Sequence, residues 1–282
     1  MTTRRDFLAT LAAAMAASKL GHVRSLAAAT LPDRLPRIGI QLYTVRSLAS
    51  KDLEGTLAAL AGIGYNEVEF AGYFGRTPDK IKATLAANNL KSPSTHLGLP
   101  ATDDAWSATL DNVSAMGHQW AIVASVDEKA RKALGDWPGL ADRFNQLGAK
   151  AKERGLRFGY HNHNTEFAKF GNQTALDVLI SNTDPKLVDF EMDIYWVVKG
   201  GGDPLDLIKR YPGRFPLMHV KDASPAPELK MVDVGSGTID FGRIFAQAKS
   251  SGMTHTFVEH DMPADPMATA TNSYRYLAKL EY

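Results

Sequence analysis

The sequence predicts an α/β protein built as a single (β/α)8 TIM barrel. Eight short apolar segments alternate with segments of helical pattern along the chain. Polar side chains follow most of the apolar segments, and about 250 residues remain after an N-terminal leader pattern, which is a usual barrel length. Because the carboxyl ends of all barrel strands meet on one rim, these polar side chains would share one site.

Residues 1–29 have the pattern of a twin-arginine signal peptide. The segment TRRDFL at residues 3–8 contains the paired arginines, an apolar stretch follows at 8–17, and the alanines at 27–29 offer a small-residue cleavage site. The apolar stretch has roughly 10 residues, whereas a membrane span needs about 20. An amphipathic leader helix or lipid-facing anchor is the alternative. We expect export to the periplasm by the twin-arginine machinery, and a barrel domain over residues 30–282.

Charge and composition limit the partners of the mature chain. The formal net charge of the whole chain is +1, and residues 1–29 hold four of its basic and one of its acidic side chains, which leaves −2 for residues 30–282. This balance argues against nucleic acid and against an anionic membrane surface as partners. The chain has no cysteine, so any metal must be held by nitrogen and oxygen atoms.

The eight apolar segments are typical of buried parallel strands. They lie at residues 37–43, 65–70, 91–97, 119–125, 156–161, 187–193, 215–221 and 254–260. Helical patterns lie between them at 53–62, 78–88, 140–154, 204–211 and 241–250, with N-cap residues Asp52, Thr77, Asp203 and Asp240. An open doubly wound sheet is the competing architecture, but no GxGxxG loop follows the first strand.

Four of the predicted strands end in residues that bind metals. The segments are YHNH at 160–163, FEMD at 190–193, MHVKD at 218–222 and FVEHD at 257–261. Residues two apart on a strand face the same side, so His219 and Lys221 would point together into the barrel. Imidazoles and carboxylates without thiolates suit a hard or borderline divalent ion.

These motifs, in this order, resemble those of the sugar isomerase/epimerase superfamily of xylose isomerase-like barrels. The likeness covers essentially the whole chain after residue 29 and includes VEFAGY at 68–73 and VGSGTIDF at 234–241. That superfamily includes ketose 3-epimerases, hydroxypyruvate isomerases, inosose dehydratases and dehydroshikimate dehydratases. The resemblance implies a TIM barrel enzyme that acts on a small-molecule carbohydrate.

The resemblance also implies one divalent ion, Mn²⁺, Mg²⁺, Co²⁺ or Zn²⁺, held by Glu, Asp, His and Glu from the last four strands. Asp193, His219 and Glu259 match the last three positions. At the fifth strand the chain departs from the pattern, because His161 stands where the superfamily usually has glutamate. Glu166, five residues later, is the predicted fourth ligand, and direct ligation by His161 or His163 is the alternative.

Further residues at strand ends are candidates for catalysis and substrate contact. The predicted catalytic residues are Glu166, Glu259, His161 and Lys221. The predicted substrate-binding residues are Glu69, His96, His163, Trp196 and Gln41. An aromatic side chain such as Trp196 suits the apolar face of a sugar ring, and Lys221 is a candidate acid or base beside the metal.

The resemblance predicts a metal-dependent sugar isomerase or epimerase that removes a proton next to a carbonyl through a stabilised enediolate. A sugar phosphate is not expected, because no cluster of Arg and Gly follows the last two strands. The two histidines of the fifth strand and Lys221 favour the alternative, a lyase that eliminates from a 3-keto-glycoside or inosose-like substrate. A non-catalytic sugar-binding barrel is the alternative from a different class.

Overall fold

The computed structural model describes residues 33–282, and the signal peptide predicted for residues 1–29 lies outside the described residues. Within the described range, eight parallel strands form one sheet. They are β1 Gly39–Gln41, β2 Glu67–Glu69, β3 Ser94–Gly98, β4 Trp120–Ser125, β5 Arg157–His161, β6 Val188–Asp193, β7 Leu217–Val220 and β8 His255–Val258. Each overlaps its predicted segment, so the predicted strands are confirmed.

The sheet curls into a nearly closed barrel. Its strand order is β2, β1, β8, β7, β6, β5, β4, β3, with every neighbouring pair parallel. The two outer strands meet through parallel bridges between Glu67 and Lys91 and between Phe70 and Thr95. The predicted single (β/α)8 TIM barrel is therefore confirmed.

Helices connect the strands along the chain. They are α1 Arg46–Ala49, α2 Leu53–Ile63, α3 Pro78–Ala87, α4 Asp103–Met116, α5 Glu128–Ala133, α6 Asp136–Glu153, α7 Ala175–Ser181, α8 Ile194–Lys199, α9 Pro204–Arg210, α10 Phe241–Phe245, α11 Ala248–Ser251 and α12 Pro266–Leu277. The predicted N-caps Asp52, Thr77, Asp203 and Asp240 each accept a backbone N–H from the first turn. In residues 33–282 no helix combines the length and apolar character that crossing a membrane requires.

Two apolar layers stabilise the barrel. The larger one lies between the sheet and the helices. The smaller one fills the barrel interior and consists of Trp120, Ile122, Leu217 and Phe257. Gly39 and Gly159 leave the space that Phe257 and Ile122 occupy, because a Cβ at either glycine would overlap those side chains. The interior is thus a packed plug and not a pore.

Polar side chains at the amino ends of the strands pair with one another below this plug. His255 Nδ1 lies 2.7 Å from Glu67 Oε2, and Trp120 Nε1 donates to Asp189 Oδ2 at 2.8 Å. The plug therefore separates this end from the polar residues at the carboxyl ends of the strands. The candidate site lies at the carboxyl ends.

Candidate metal centre and active site

Buried polar side chains converge where the strands end. The register pairs His161 with Glu191 and Asp193 with His219 on neighbouring strands, which places all four on the inner side of the barrel. All four are at most 1% exposed. Burying so many ionisable groups is unfavourable unless they pair with one another or bind a metal. Two overlapping groups satisfy that condition.

The outer group consists of His161, Asp193, His219 and Glu259, whose potential ligand atoms all lie within 4.8 Å of one another. His161 Nε2 lies 3.4 Å from Asp193 Oδ2, and His219 Nδ1 lies 2.7 Å from Glu259 Oε2. Two imidazole nitrogens and two carboxylate oxygens are suitable ligands for Zn²⁺, Co²⁺ or Mn²⁺. This set contains the three ligands predicted from the sixth, seventh and eighth strands.

The two carboxylate oxygens of Asp193 have different roles, one in capping a helix and one in the outer group. Its Oδ1 accepts the backbone N–H of Trp196 at 3.0 Å and so caps α8, while its buried Oδ2 accepts no hydrogen bond of normal geometry from the described residues. A buried carboxylate oxygen without such a donor is costly unless a cation lies nearby. Lys221, described below, is the cation beside this oxygen, and the donor set as a whole fits a divalent ion.

The inner group consists of His96, His161, His219 and Glu191, with Glu191 at its centre. Glu191 Oε2 lies 2.6 Å from His96 Nε2, 3.0 Å from His161 Nδ1 and 3.1 Å from His219 Nε2. If these nitrogens carry the protons, His161 Nε2 and His219 Nδ1 present their lone pairs to the outer group. A carboxylate behind a ligating histidine commonly sets the ring in this way.

Glu69 and Gln41 support the inner group and lie beneath the cavity. Glu69 Oε2 lies 2.7 Å from His219 Nε2 and accepts a hydrogen bond from Gln41 Nε2 at 2.7 Å. Both residues are fully buried and neither lines the cavity described below. The structure thus places them behind a histidine, where they orient that ring, and not on the predicted substrate-binding surface.

Lys221 lies beside the outer group. Its Nζ lies 2.9 Å from Asp193 Oδ2, 2.7 Å from Glu259 Oε2 and 2.7 Å from Asp261 Oδ1. Burial opposes the charge, but the three carboxylates raise the pKa of Lys221 above its ordinary value. Burial likewise opposes ionisation of Asp193, yet Lys221 and His161 lower the pKa of Asp193 to about 2. A divalent ion would therefore compete with the Lys221 ammonium for two carboxylates.

Glu166, which the sequence predicted as the fourth ligand and as a catalytic group, lies outside both groups. Its Oε1 accepts a hydrogen bond from Tyr160 Oη at 2.6 Å, and its Oε2 accepts from the His163 backbone N–H at 2.8 Å and from Thr165 Oγ1 at 3.0 Å. The carboxylate is thus used to hold the turn after β5. His161 takes the fifth-strand position, in agreement with the alternative left open by the sequence.

His163 and Trp196 lie together at the edge of the outer group. Their ring centroids are 5.6 Å apart, and the His161 ring is 5.0 Å from that of His163. Burial, aided by the nearby His161, lowers the pKa of His163 to about 3, so its ring is neutral at physiological pH. Trp196 lies behind His163 and 5.8 Å from Lys221 Nζ, and it is not among the residues lining the cavity. The predicted wall is therefore formed by His163.

The outer group opens into a cavity of about 540 Å³, here named the central cavity. Its polar wall contains His96, His161, His163, Lys221, Glu259 and Asp261. Tyr43 and Met262 lie on its rim and are 41% and 83% exposed. The volume is within the range of about 300–1,000 Å³ that small-molecule sites occupy.

A family model described as xylose isomerase-like TIM barrel matches residues 57–280. The chain belongs to the xylose isomerase-like TIM barrel family. This finding confirms the resemblance inferred from the strand-end motifs, and it covers the strands from β2 to β8, including every residue of both metal-ligand groups.

Individual members of the family are similar over most of the chain. An inosose dehydratase of Bacillus cereus (strain AH820) is 25% identical over 285 residues, which cover 88% of this chain and 90% of that protein. A sugar phosphate isomerase/epimerase from Parabacteroides distasonis has a known structure that matches with a TM-score of 0.75 and 25% identity, covering 92% of this chain and 99% of that one. The solved structure of the IOLI protein with a bound zinc atom matches with a TM-score of 0.63 at 13% identity, covering 85% and 95% of the two chains, and shows the shared fold alone.

Two residues of the site, Glu191 and Asp261, were not among the predicted site residues. Glu191 lies two residues before Asp193 on the same face of β6, and Asp261 lies two residues after Glu259. The two-residue spacing was available as a signal, because alternate strand residues share a face. Glu191 contacts the histidines and Asp261 contacts Lys221. These partners come from distant strands, so the sequence spacing alone does not reveal them.

Proposed function

We propose that this family member is a divalent-metal-dependent carbon–oxygen lyase that eliminates water or an alcohol from a non-phosphorylated keto-sugar. The observation that carries the proposal is the contact of 2.7 Å between Lys221 Nζ and Glu259 Oε2 beside the outer group. The fifth-strand position holds His161, so that strand supplies no second carboxylate as a base. Glu259 and Lys221 are therefore the acid–base pair, and they lie side by side at the outer group.

The outer group, His161, Asp193, His219 and Glu259, would hold the ion. When bound there, a divalent ion polarises a substrate carbonyl and stabilises the negative charge that develops on its oxygen. Glu259 then accepts the proton from the carbon next to that carbonyl. As the bond between the β-carbon and its oxygen breaks, Lys221 donates a proton to the leaving oxygen.

The pair is regenerated without an outside reagent. After elimination Glu259 carries the substrate proton and Lys221 has lost one, and their atoms are close enough for direct return of the proton. The reaction converts a β-oxygenated ketone into an enone and water or an alcohol, so atoms and charge balance. An acid and a base at one place suit a syn elimination, whereas epimerisation must return the proton to the opposite face of the carbon.

The charges of the central cavity favour a substrate without phosphate. Of the described residues that line the cavity, Lys221 is the one with a permanently cationic side chain. Three carboxylates already surround its Nζ, which leaves no net positive charge for a phosphate. A phosphate group would need additional Arg or Lys donors or a set of backbone N–H groups.

Similarity over most of the chain supports the lyase reaction. The Bacillus cereus relative is named an inosose dehydratase, and dehydration is the elimination of water. At 25% identity the relative supports the reaction class. For export we keep the twin-arginine proposal made from residues 1–29, which fractionation of cells expressing the full chain would test.

Isomerisation or epimerisation, the first choice from the sequence, is the second candidate. The position of His163 on the cavity wall supports it, because that reaction requires a second group besides Glu259 on the substrate's other side. The sugar phosphate isomerase/epimerase from Parabacteroides distasonis supports this class as well.

One NMR experiment separates the candidates. The Mn²⁺-loaded protein is incubated in D₂O with free ketoses, inososes and 3-keto-glucosides, and Glu259→Gln serves as the inactive control. We expect an enone and released water or alcohol. Deuterium next to the carbonyl of an otherwise intact sugar would establish the isomerase or epimerase instead. Metal-independent sugar binding without turnover would reject both and leave the non-catalytic sugar-binding barrel.

A further inference from the structure

A second cavity adjoins the central cavity on the side of β3 and β4. This side groove has a volume of about 830 Å³ and is bordered by the segment after β3, the segment after β4, and α5 and α6. Gly98 and Ser125, which face each other across β3 and β4, line both cavities. The two spaces therefore meet at these residues, which are here named the neck.

The side groove has an apolar floor. Leu99, Pro100, Val126, Ala130 and Leu134 line it. Leu134 is 37% exposed, and the other large hydrophobic side chains exposed within residues 33–282 are Tyr43 and Met262 on the rim of the central cavity. All three exposed side chains thus line one of the two adjoining cavities, and together with the apolar floor they suit a ligand with apolar parts.

The polar side chains of the groove already have partners. Arg143 Nη1 donates to Asp103 Oδ1 at 2.8 Å, and Lys150 Nζ lies 3.0 Å from Asp103 Oδ2. Thr102 and Asp127 accept backbone N–H groups as the N-caps of α4 and α5. The groove thus offers apolar contact without an unpaired charge, which suits a neutral group and disfavours an anionic one.

The neck has a shape that lets a ligand pass. A register shift between Leu97 and Gly98 interrupts the pairing of β3 with β4, and a Cβ at position 98 would meet no atom within 4 Å. Such irregularities at a barrel rim commonly redirect the chain beside a site. A larger side chain at position 98 would therefore fit the protein without a clash but would fill space between the two cavities, which glycine leaves empty.

We propose that the side groove binds a neutral, apolar substituent of the sugar, such as an aryl aglycone, while the sugar ring lies in the central cavity. The assignment rests on the proposed function, and it narrows the substrate class to keto-glycosides with a bulky hydrophobic aglycone. Three observations support this proposal: the side groove adjoins the central cavity, its floor is apolar, and its charged side chains are compensated by partners.

Calorimetric binding of inert glycosides tests the groove without any turnover. The probes are phenyl and methyl glucosides, each in both anomers, with the metal-loaded full chain. For wild type we expect the better phenyl anomer to bind about tenfold more tightly than its methyl counterpart, since a phenyl ring buries much more apolar area. Gly98→Val, which narrows the neck, and Leu134→Ala, which removes part of the floor, should each reduce that ratio about threefold or more.

The control is Leu205→Ala, a half-buried leucine on α9 outside both cavities, which should leave the ratio unchanged. Equal affinity for phenyl and methyl glucosides, a ratio that survives both groove variants, or no binding of any glucoside would overturn the proposal. Turnover of 3-keto-glucosides is then measured separately. A preserved phenyl preference without turnover rejects the lyase and keeps the groove, whereas turnover indifferent to the aglycone rejects the groove and keeps the lyase.

Discussion

Replacing Lys221 with methionine is expected to tighten divalent-metal binding while it abolishes elimination. In the structure the Lys221 ammonium lies 2.9 Å from Asp193 Oδ2 and 2.7 Å from Glu259 Oε2, which are two of the four ligand oxygens and nitrogens of the outer group. An incoming cation must share or take over these oxygens. Methionine has similar length and no charge, so Lys221→Met removes the competitor with little change in packing.

The size of the effect follows from the charges. Two unit charges 4 Å apart interact by about 4 kcal/mol at an effective dielectric constant of about 20, so an ammonium and a doubly charged ion would repel by about 8 kcal/mol. Asp261, whose Oδ1 lies 2.7 Å from Lys221 Nζ, offsets much of this repulsion. We expect a net gain of about 2–4 kcal/mol, which corresponds to roughly 30- to 1,000-fold tighter binding.

Isothermal titration of the metal-free protein with Mn²⁺ and Zn²⁺ measures the change, and Lys209→Met, at an exposed lysine of α9, is the matched control. Metal-free Lys221→Met should also be less stable than wild type by about 3 kcal/mol, because buried carboxylates lose their partner, and added metal should restore it. Unchanged or weaker metal binding in Lys221→Met would refute competition at the outer group. The proposed role of Lys221 as acid would then rest on turnover alone.

Three further predictions concern single carboxylates. Glu191→Gln, which keeps the shape but cannot accept from three imidazoles as a carboxylate does, should weaken metal binding about 10- to 100-fold in titration calorimetry. Glu166→Gln should leave metal affinity within about threefold and lower the melting temperature, since Glu166 supports a turn and is not a ligand; a loss of affinity comparable to that of Asp193→Asn would restore it as a ligand. Burial opposes ionisation of Asp177, but Arg210 and hydrogen bonds from Thr174 keep its pKa below the ordinary value. This stabilisation is present above the unfolded pKa of about 3.9 and lost as pH falls through the lower folded value, so Asp177→Asn should lower the free energy of unfolding by about 1–2 kcal/mol at pH 7, with a smaller difference at pH 3 in urea titrations.

The sequence was sufficient for the barrel because its strands are short, apolar and evenly separated by capped helices. The outer group was largely predictable as well, since a residue at the carboxyl end of a barrel strand must face the common rim. That rule places Asp193, His219 and Glu259 on the rim, and the resemblance to the superfamily selected them as metal ligands. The predicted helix at 241–250 proved to be two helices, α10 and α11, a break that no Gly or Pro at residues 246–247 signals.

Glu166 shows where sequence reasoning leaves two arrangements open. A carboxylate five residues past a strand can reach a metal or can turn back to its own backbone, and both fit the pattern. The structure resolves the choice through Tyr160, whose buried hydroxyl donates to Glu166, and through the backbone N–H of His163. Gln41 and Glu69 illustrate the same limit, because depth within a barrel depends on the stagger of neighbouring strands and leaves no trace in a single segment.

The histidine at the fifth strand and the lysine at the seventh have a joint chemical consequence. The superfamily pattern implied by resemblance supplies three carboxylates to the ion, whereas His161 reduces the outer group to the two of Asp193 and Glu259. Two carboxylates neutralise a divalent ion without excess negative charge, and Asp261 compensates the charge of Lys221 beside them. The site is thus more electropositive toward a developing oxyanion, and it contains a proton donor for a leaving oxygen. The fifth-strand histidine and the proton-donating lysine both favour the expulsion of a leaving group over the return of a proton to carbon, and together they support the lyase.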